Sequence, residues 1–418
     1  MDRATELSIL TDIARAAVAK TRSDEPTCTR LSVDRYRSDE RARREMEAVF
    51  ARTWLLIGRS SRVAEPGAFF TTEVSGAPWL IVRQPDGALR GFFNVCRHRG
   101  AALQKATCGV AKRLVCPFHG WNYELDGALR HIPDEHDFPG IDRGAHGLRP
   151  IAVGEFGGFV FACGDVNAPP LHDFLGGVIP SLSGDGLPEA IEVHRVSREY
   201  AANWKLGVEL FTEAYHTRTL HARTVNPILE QSGVHVTRFG PHTRSVIPRR
   251  KVLKVARELA QTRAIDPTSI AEAAPKMMPG GGADLATKGL FSLRFLSNTS
   301  YGIFPNTIVL MLPTSFVLMQ CWPLGARRCR YDYAIFCPPG ASYADELFHA
   351  ERIKNWDDVS AEDTGNLEAL QRGVESGAID HVTFGDQERL IPELHQHLER
   401  AIEQHSAPAP RSLSVVSG

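Results

Sequence analysis

Cys96-Arg97-His98-Arg99-Gly100 and Cys116-Pro117-Phe118-His119-Gly120, with seventeen residues between His98 and Cys116, decide how this chain is read. Each short run offers one thiolate and one imidazole. Zinc fingers group like with like, as C-x2-4-C and H-x3-5-H, whereas here each run mixes the two. A [2Fe–2S] cluster with two Cys on one iron and two His on the other needs this mixture. A structural zinc site, or plain core residues, is the competing reading.

Outward from the motif the texture is that of short strands. Phe69–Val74 and Trp79–Arg83 are followed by the turn Pro85-Asp86-Gly87 and then by Leu89–Val95. A second Asp126-Gly127 turn follows the second loop, and Gly157–Cys163 reads as a closing strand. Residues 55–165 are therefore expected to form a small antiparallel β domain with the two loops at its tips. Residues 1–54 read as a helical segment packing on a later domain, with Asp39–Phe50 amphipathic and its charges on a solvated face.

Residues 166–405 read as a larger, catalytic domain. Tyr200–Arg223 has helical period, and Phe291–Phe295, Thr307–Leu312, Phe316–Trp322 and Tyr331–Cys337 read as strands. Asp345–Val374 and Gln387–His405 are expected to be closing helices. Pro275, Met277-Met278-Pro279 and Gly280-Gly281-Gly282 argue for a mobile loop over 264–289. Residues 406–418 read as a flexible tail. The expected fold class is α+β: a small antiparallel β domain beside a larger domain whose antiparallel sheet is covered by helices.

Composition narrows the partners. The chain has 418 residues, 43% hydrophobic and 23% charged, enough for two or three domains with sizeable cores. A formal net charge of -1 gives no reason to expect nucleic acid or an acidic membrane surface. No apolar run is long enough to span a bilayer. Met1-Asp2-Arg3-Ala4-Thr5-Glu6 opens without an apolar signal core. The six Cys outside the motif (Cys28, Cys108, Cys163, Cys321, Cys329, Cys337) show no disulfide framework, which suits free thiols in a cytoplasmic protein.

Glu213-Ala214-Tyr215-His216-Thr217-Arg218-Thr219-Leu220-His221 carries a second constellation. Five residues of ideal helix is about 500° of rotation, so the two imidazoles share a face only if the helix bends or ends between them. Mononuclear iron(II) oxygenases bind their metal with two His and one carboxylate, leaving positions open. The carboxylate must come from elsewhere, and Asp363, within Ala361–Glu368, is the best candidate. In isolation that run is an acidic helix face.

With these motifs in order, the chain resembles, over nearly its whole length, the oxygenase (α) components of Rieske non-haem iron oxygenases. The shared catalytic signature is Asn203-Trp204-Lys205, Glu209, Glu213-Ala214-Tyr215-His216 and His221, with Asn366 and Glu368 behind Asp363. The resemblance implies that Cys96, His98, Cys116 and His119 hold a Rieske [2Fe–2S] cluster. It implies that His216, His221 and Asp363 hold one mononuclear Fe(II). One departure stands out. Naphthalene-dioxygenase-like members carry Asp three residues before the first His ligand, bridging to a Rieske His of the next subunit, where this chain has Glu213. Glutamate there is similar to the choline-, carnitine- and betaine-type oxygenases.

The same resemblance implies O2 activation with electrons arriving singly from a separate NAD(P)H-dependent reductase, directly or through a ferredoxin. It also implies a homotrimer, with or without a small β subunit. No G-x-G-x-x-G fingerprint for a flavin or nicotinamide sits between a strand and a helix. Three functions compete: hydroxylation of an aromatic compound, attack beside a quaternary or N-methyl amine, and a Rieske electron carrier alone. The second would want an aromatic cage for a cation. Phe211, Tyr301, Phe304 and Trp322 are candidate pocket aromatics, and Tyr215 is expected to serve packing.

Overall fold

The computed structural model describes residues 1–19, 28–183, 186–262, 264–277, 293–340 and 343–405. Among them, strands build two seven-stranded antiparallel sheets, one small three-stranded sheet and a two-stranded ribbon. The first large sheet runs in the order Leu55–Arg59, Phe159–Cys163, Pro150–Phe156, Leu89–Phe93, Ala77–Arg83, Ala68–Val74, Cys108–Val110. Its hairpin at Asp86-Gly87 and the small sheet's turn at Asp126-Gly127 use one device. The Asp carboxylate accepts the N–H two residues on at 2.9 Å, and Gly adopts φ +86° or +90°. At Gly127 a Cβ would also lie 2.5 Å from the Phe92 ring, so no other residue fits.

The second large sheet runs Ile191–Tyr200, Cys329–Cys337, Ser315–Pro323, Thr307–Leu312, Ser297–Ile303, His242–Pro248, His235–Phe239. All nine residues of Ser315–Pro323 are buried, which explains its mostly apolar text: both faces are covered. The two large sheets share a core. Leu55, Ile57 and Val160 of the first belong to one apolar cluster with Val317, Met319 and Ile335 of the second. Each such side chain contributes about 1.5–3 kcal/mol on burial, so the units are welded rather than tethered.

Helices cover the second sheet, and here the chain departs from its sequence reading. Residues 1–53 are not wholly helical, because Thr29–Ser32 is a strand paired with His381–Phe384. Helix Arg3–Ala19 packs through Ile9, Leu10 and Ile13 on Leu253 and Ile270. The amphipathic segment is helical over Asp39–Glu45 and then a π turn over Met46–Phe50, and Glu45 is buried rather than solvated. Leu293–Leu296 is helical, so the expected strand at Phe291–Phe295 moves to Ser297–Ile303. Eleven residues of the expected 264–289 loop are helix Pro267–Met277; residues 278–289 and the 406–418 tail lie outside the described residues.

Two further breaks shape the site. Helix Trp204–Leu210 stops well before the paired histidines, and the expected closing helix divides into Tyr343–Thr364 and Leu367–Glu375. Helix Leu390–His405 closes the chain's described part. Among the described residues no helix is long and apolar enough to cross a membrane.

Candidate functional site

The two Cys/His loops fold alike. Cys96 N–H donates to Ala101 O and Cys116 N–H to Trp121 O, each at 2.8 Å. Gly100 and Gly120 N–H return to the carbonyls of Cys96 and Cys116 at 3.0 Å, and both glycines are left-handed, at φ +78° and +72°. A Cys four residues before a glycine is thus presented identically twice. Both sulfurs are buried, and all eight Cys are free thiols. Tyr123 Oη lies 3.3 Å from Cys96 Sγ and accepts the Arg97 N–H at 3.1 Å.

His98 and His119 face each other at 4.7 Å between ring centroids, and His98 stacks on Trp121 at 4.9 Å and 5°. Nδ1 of His98 is buried without a hydrogen-bond partner among the described residues. Burial, with the charges of His119 and Arg99, lowers the His98 pKa from the ordinary imidazole value, the direction that suits a neutral metal ligand. Two buried thiols and two imidazoles, one with an orphaned nitrogen, fit a Rieske cluster. His119 is exposed, so the imidazole side of the group faces solvent.

The second constellation converges through tertiary structure. His216 lies in a single 3-10 turn, His221 follows in turns, and Asp363 arrives from the end of helix Tyr343–Thr364. Because the helix ends before them, the histidines escape the 500° problem; their ring centroids are 5.1 Å apart. Asp363 Oδ1 lies 2.9 Å from His221 Nε2 and 3.5 Å from His216 Nε2, and one ligand atom from each residue falls within 4.8 Å of the others.

The other nitrogen of each ring is taken. His216 Nδ1 meets Glu213 Oε1, and His221 Nδ1 lies 2.6 Å from Glu362 Oε2. With Nδ1–H donated to a carboxylate, each Nε2 lone pair turns toward Asp363. Two imidazole nitrogens and a carboxylate oxygen within 4.8 Å of one another could hold a divalent cation and leave positions open. Glu362 was not singled out in the sequence. Burial works against its charge, yet hydrogen bonds from His221 and Thr224 (2.7 Å) hold it below the usual carboxylate range.

A cavity of about 730 Å³ opens over this set, within the range of small-molecule sites. Of the candidate aromatics, Phe211 lines it, stacked on Tyr331 at 5.6 Å, whereas Tyr301 and Trp322 belong to the core. Phe304 borders a different, smaller pocket. Trp356, overlooked in the sequence, lines the cavity as well. Tyr215, expected to serve packing, is instead 59% exposed, so most of its surface is open to solvent.

Beneath the site lies a buried polar layer. Lys205 Nζ donates to Glu45 at 2.7 and 2.9 Å, and Trp204 Nε1 donates to the same carboxylate at 3.0 Å. Asn203 caps the helix by accepting the Lys205 N–H. One turn on, Glu209 accepts from Tyr36 Oη at 3.0 Å and lies 2.8 Å from His395 Nε2. The signature residues before His216 thus anchor the N-terminal segment and the last helix to the helix that leads into the site.

Comparison with known proteins identifies both domains. Residues 188–404 match the ring hydroxylating alpha subunit catalytic domain, and residues 53–142 match the Rieske [2Fe-2S] domain. The chain belongs to the ring-hydroxylating α-subunit family. It is a Rieske oxygenase α subunit, an oxidoreductase whose domains are those of a [2Fe–2S] cluster and a mononuclear iron, and which needs a reductase or ferredoxin, O2 and a substrate.

Among similar proteins, the glycine betaine monooxygenase oxygenase subunit of Chromohalobacter salexigens is 29% identical over 351 residues, 80% of this chain and 77% of that one. The large oxygenase component of a Pseudomonas aeruginosa naphthalene 1,2-dioxygenase system is 37% identical over 196 residues, 45% of this chain and 43% of that one. That second match therefore spans less than half of the relative. A crystal structure of the quaternary ammonium Rieske monooxygenase CntA with its substrate L-carnitine superposes with a TM-score of 0.70 at 22% identity, covering 88% of this chain and 94% of the other. At that identity the likeness shows the fold.

Proposed function

We propose that this α subunit is the terminal oxygenase of a multicomponent system that hydroxylates a small aromatic substrate. In this reading Cys96, His98, Cys116 and His119 hold the cluster within residues 55–165. His216, His221 and Asp363 hold Fe(II) within residues 166–405, and residues 1–54 brace the second unit. When bound, the cluster supplies single electrons and the iron activates O2 beside the substrate. The observation that carries the proposal is the convergence of Asp363, from 142 residues away, on His221 at the cavity wall.

The protein's own groups have definable tasks. Glu213 and Glu362 fix the two imidazole rings by accepting Nδ1–H, so that both Nε2 atoms stay available. Phe211, Leu310 and Trp356 give the cavity apolar walls that orient an organic substrate and exclude water. Glu213 also has the chemistry to bridge to a cluster histidine of a neighbouring copy, which supports a homotrimer with or without a small β subunit. A cytoplasmic setting, with electrons from an NAD(P)H-dependent reductase directly or through a ferredoxin, is part of the same proposal. Free thiols support that setting.

A second reading, oxidation beside a quaternary or N-methyl amine, is favoured by Glu213 and by the long match to a glycine betaine monooxygenase subunit. Against it, two of the cavity-lining residues are aromatic, Phe211 and Trp356, which makes a thin cage for a cation. The test is turnover with a reductase under ¹⁸O2. Label entering an aromatic product is the expected result. Formaldehyde released only from methylated amines would replace the first reading with the second.

A further inference from the structure

The cavity over His216, His221 and Asp363 has a cationic region that holding a metal does not use. Arg249 lines it just after strand His242–Pro248, its backbone N–H fixed on Leu296 O at 3.0 Å. Its Nε is buried without a hydrogen-bond partner, and its guanidinium forms no ion pair among the described residues. Asn298 lines the same wall with its side-chain oxygen also buried and unpartnered. The two are set side by side by register, since Ile247 pairs with Asn298 across neighbouring strands. Arg352 adds a second guanidinium, its Nη1 donating to Ser315 Oγ at 3.0 Å.

Burial lowers the pKa of both arginines from the ordinary guanidinium value, as expected of desolvated cations. The carboxylates of Glu351 and Asp358, which also line the cavity, sit on exposed residues. The Arg249 guanidinium, its Nε buried and without an ion pair among the described residues, is stabilised if an anion joins it. Helix geometry sets the spacing. Arg352 and Asp363 lie on one helix eleven residues apart, about 16 Å of rise at nearly the same azimuth. The cationic region and the metal-binding set thus stand toward opposite ends of one cavity.

We propose that Arg249, supported by Arg352 and Asn298, receives a carboxylate on the substrate, which makes the substrate an elongated organic acid oxidised at its far end. Guanidinium and carboxylate match as paired donors and acceptors. This rests on the oxygenase reading of the metal end. The shared chemistry fits an arylalkanoate and a trimethylammonium carboxylate equally, and experiment separates them.

The experiment is calorimetric binding to the iron-loaded full chain. The probes are 3-phenylpropanoate and γ-butyrobetaine, each against its neutralised amide, with the native protein, Arg249→Gln and Arg249→Lys. At least one acid should bind about tenfold more tightly than its amide, the size of one charge-assisted hydrogen bond. Arg249→Gln should erase that preference with the amide's affinity kept, and Arg249→Lys should retain part of it. The acid that shows the preference identifies the substrate class. An acid preference absent from both pairs, or one that survives Arg249→Gln, overturns the carboxylate site. A native protein without cluster or mononuclear iron would instead sink the oxygenase reading, so the two failures are distinct.

Discussion

Glu362 Oε2 lies 2.6 Å from Nδ1 of His221, while the adjacent Asp363 reaches Nε2 of the same ring at 2.9 Å. Two consecutive carboxylates at one helix end therefore grip opposite edges of one imidazole. In the proposed reading the first sets the tautomer and the second faces the metal. Glu362→Ala is expected to weaken iron binding about 10–100-fold, the usual effect of losing such a support. Metal analysis after dialysis checks this: iron should fall while acid-labile sulfide stays constant.

Glu213 holds His216 Nδ1 and, through Oε2, the backbone N–H groups of Tyr215 and His216. Glu213→Gln keeps the size and weakens acceptance. It should slow oxidation of the reduced cluster in a stopped-flow single turnover, with iron and sulfide contents unchanged. Unchanged kinetics would remove the bridge from the account.

The Lys205–Glu45 pair is fully buried, at side-chain exposures of 1% each. Lys205→Met leaves a buried carboxylate with Arg41, at 2.9 Å, as its remaining cation. A loss of about 3–5 kcal/mol is expected from breaking one side of such a pair. Urea denaturation measures it, and adding Glu45→Gln should recover part of the loss.

Glu209 supplies a pH dependence. Burial raises its pKa to about 8, although the hydrogen bond from Tyr36 opposes this. The folded protein then holds a proton that the unfolded chain releases near the ordinary carboxylate value of 4.5. Stability from this group is full below that value and lost as pH rises toward about 8. Denaturation midpoints between pH 5 and 8 should fall more steeply for the native protein than for Glu209→Gln.

What the sequence disclosed follows from how local each feature is. Both cluster loops were legible because Cys, His and Gly stand within five residues, and spacing there nearly determines geometry. His216 and His221 were legible as a pair, but helical period extended the Trp204 helix through them. Period cannot see that Phe211 and Tyr331 stack and that the chain turns away into the site. Asp363 needed the family pattern, since 142 residues separate it from His221. Glu362, Arg249, Asn298 and Trp356 gain their meaning from strand register and helix placement alone. The strand expected at Phe291–Phe295 failed by a few residues because Leu293–Leu296 buries its apolar side chains as a helical turn.

The central claim is that one chain carries both a cluster and a mononuclear iron. Iron and acid-labile sulfide per chain, with EPR of the dithionite-reduced protein, test it most directly in the native form and in Asp363→Ala. The account expects about three irons and two sulfides natively, with a Rieske-type low-average-g signal. Asp363→Ala should lose about one iron and keep that signal unaltered. Zinc in place of iron, or a full iron complement retained by Asp363→Ala, would contradict it.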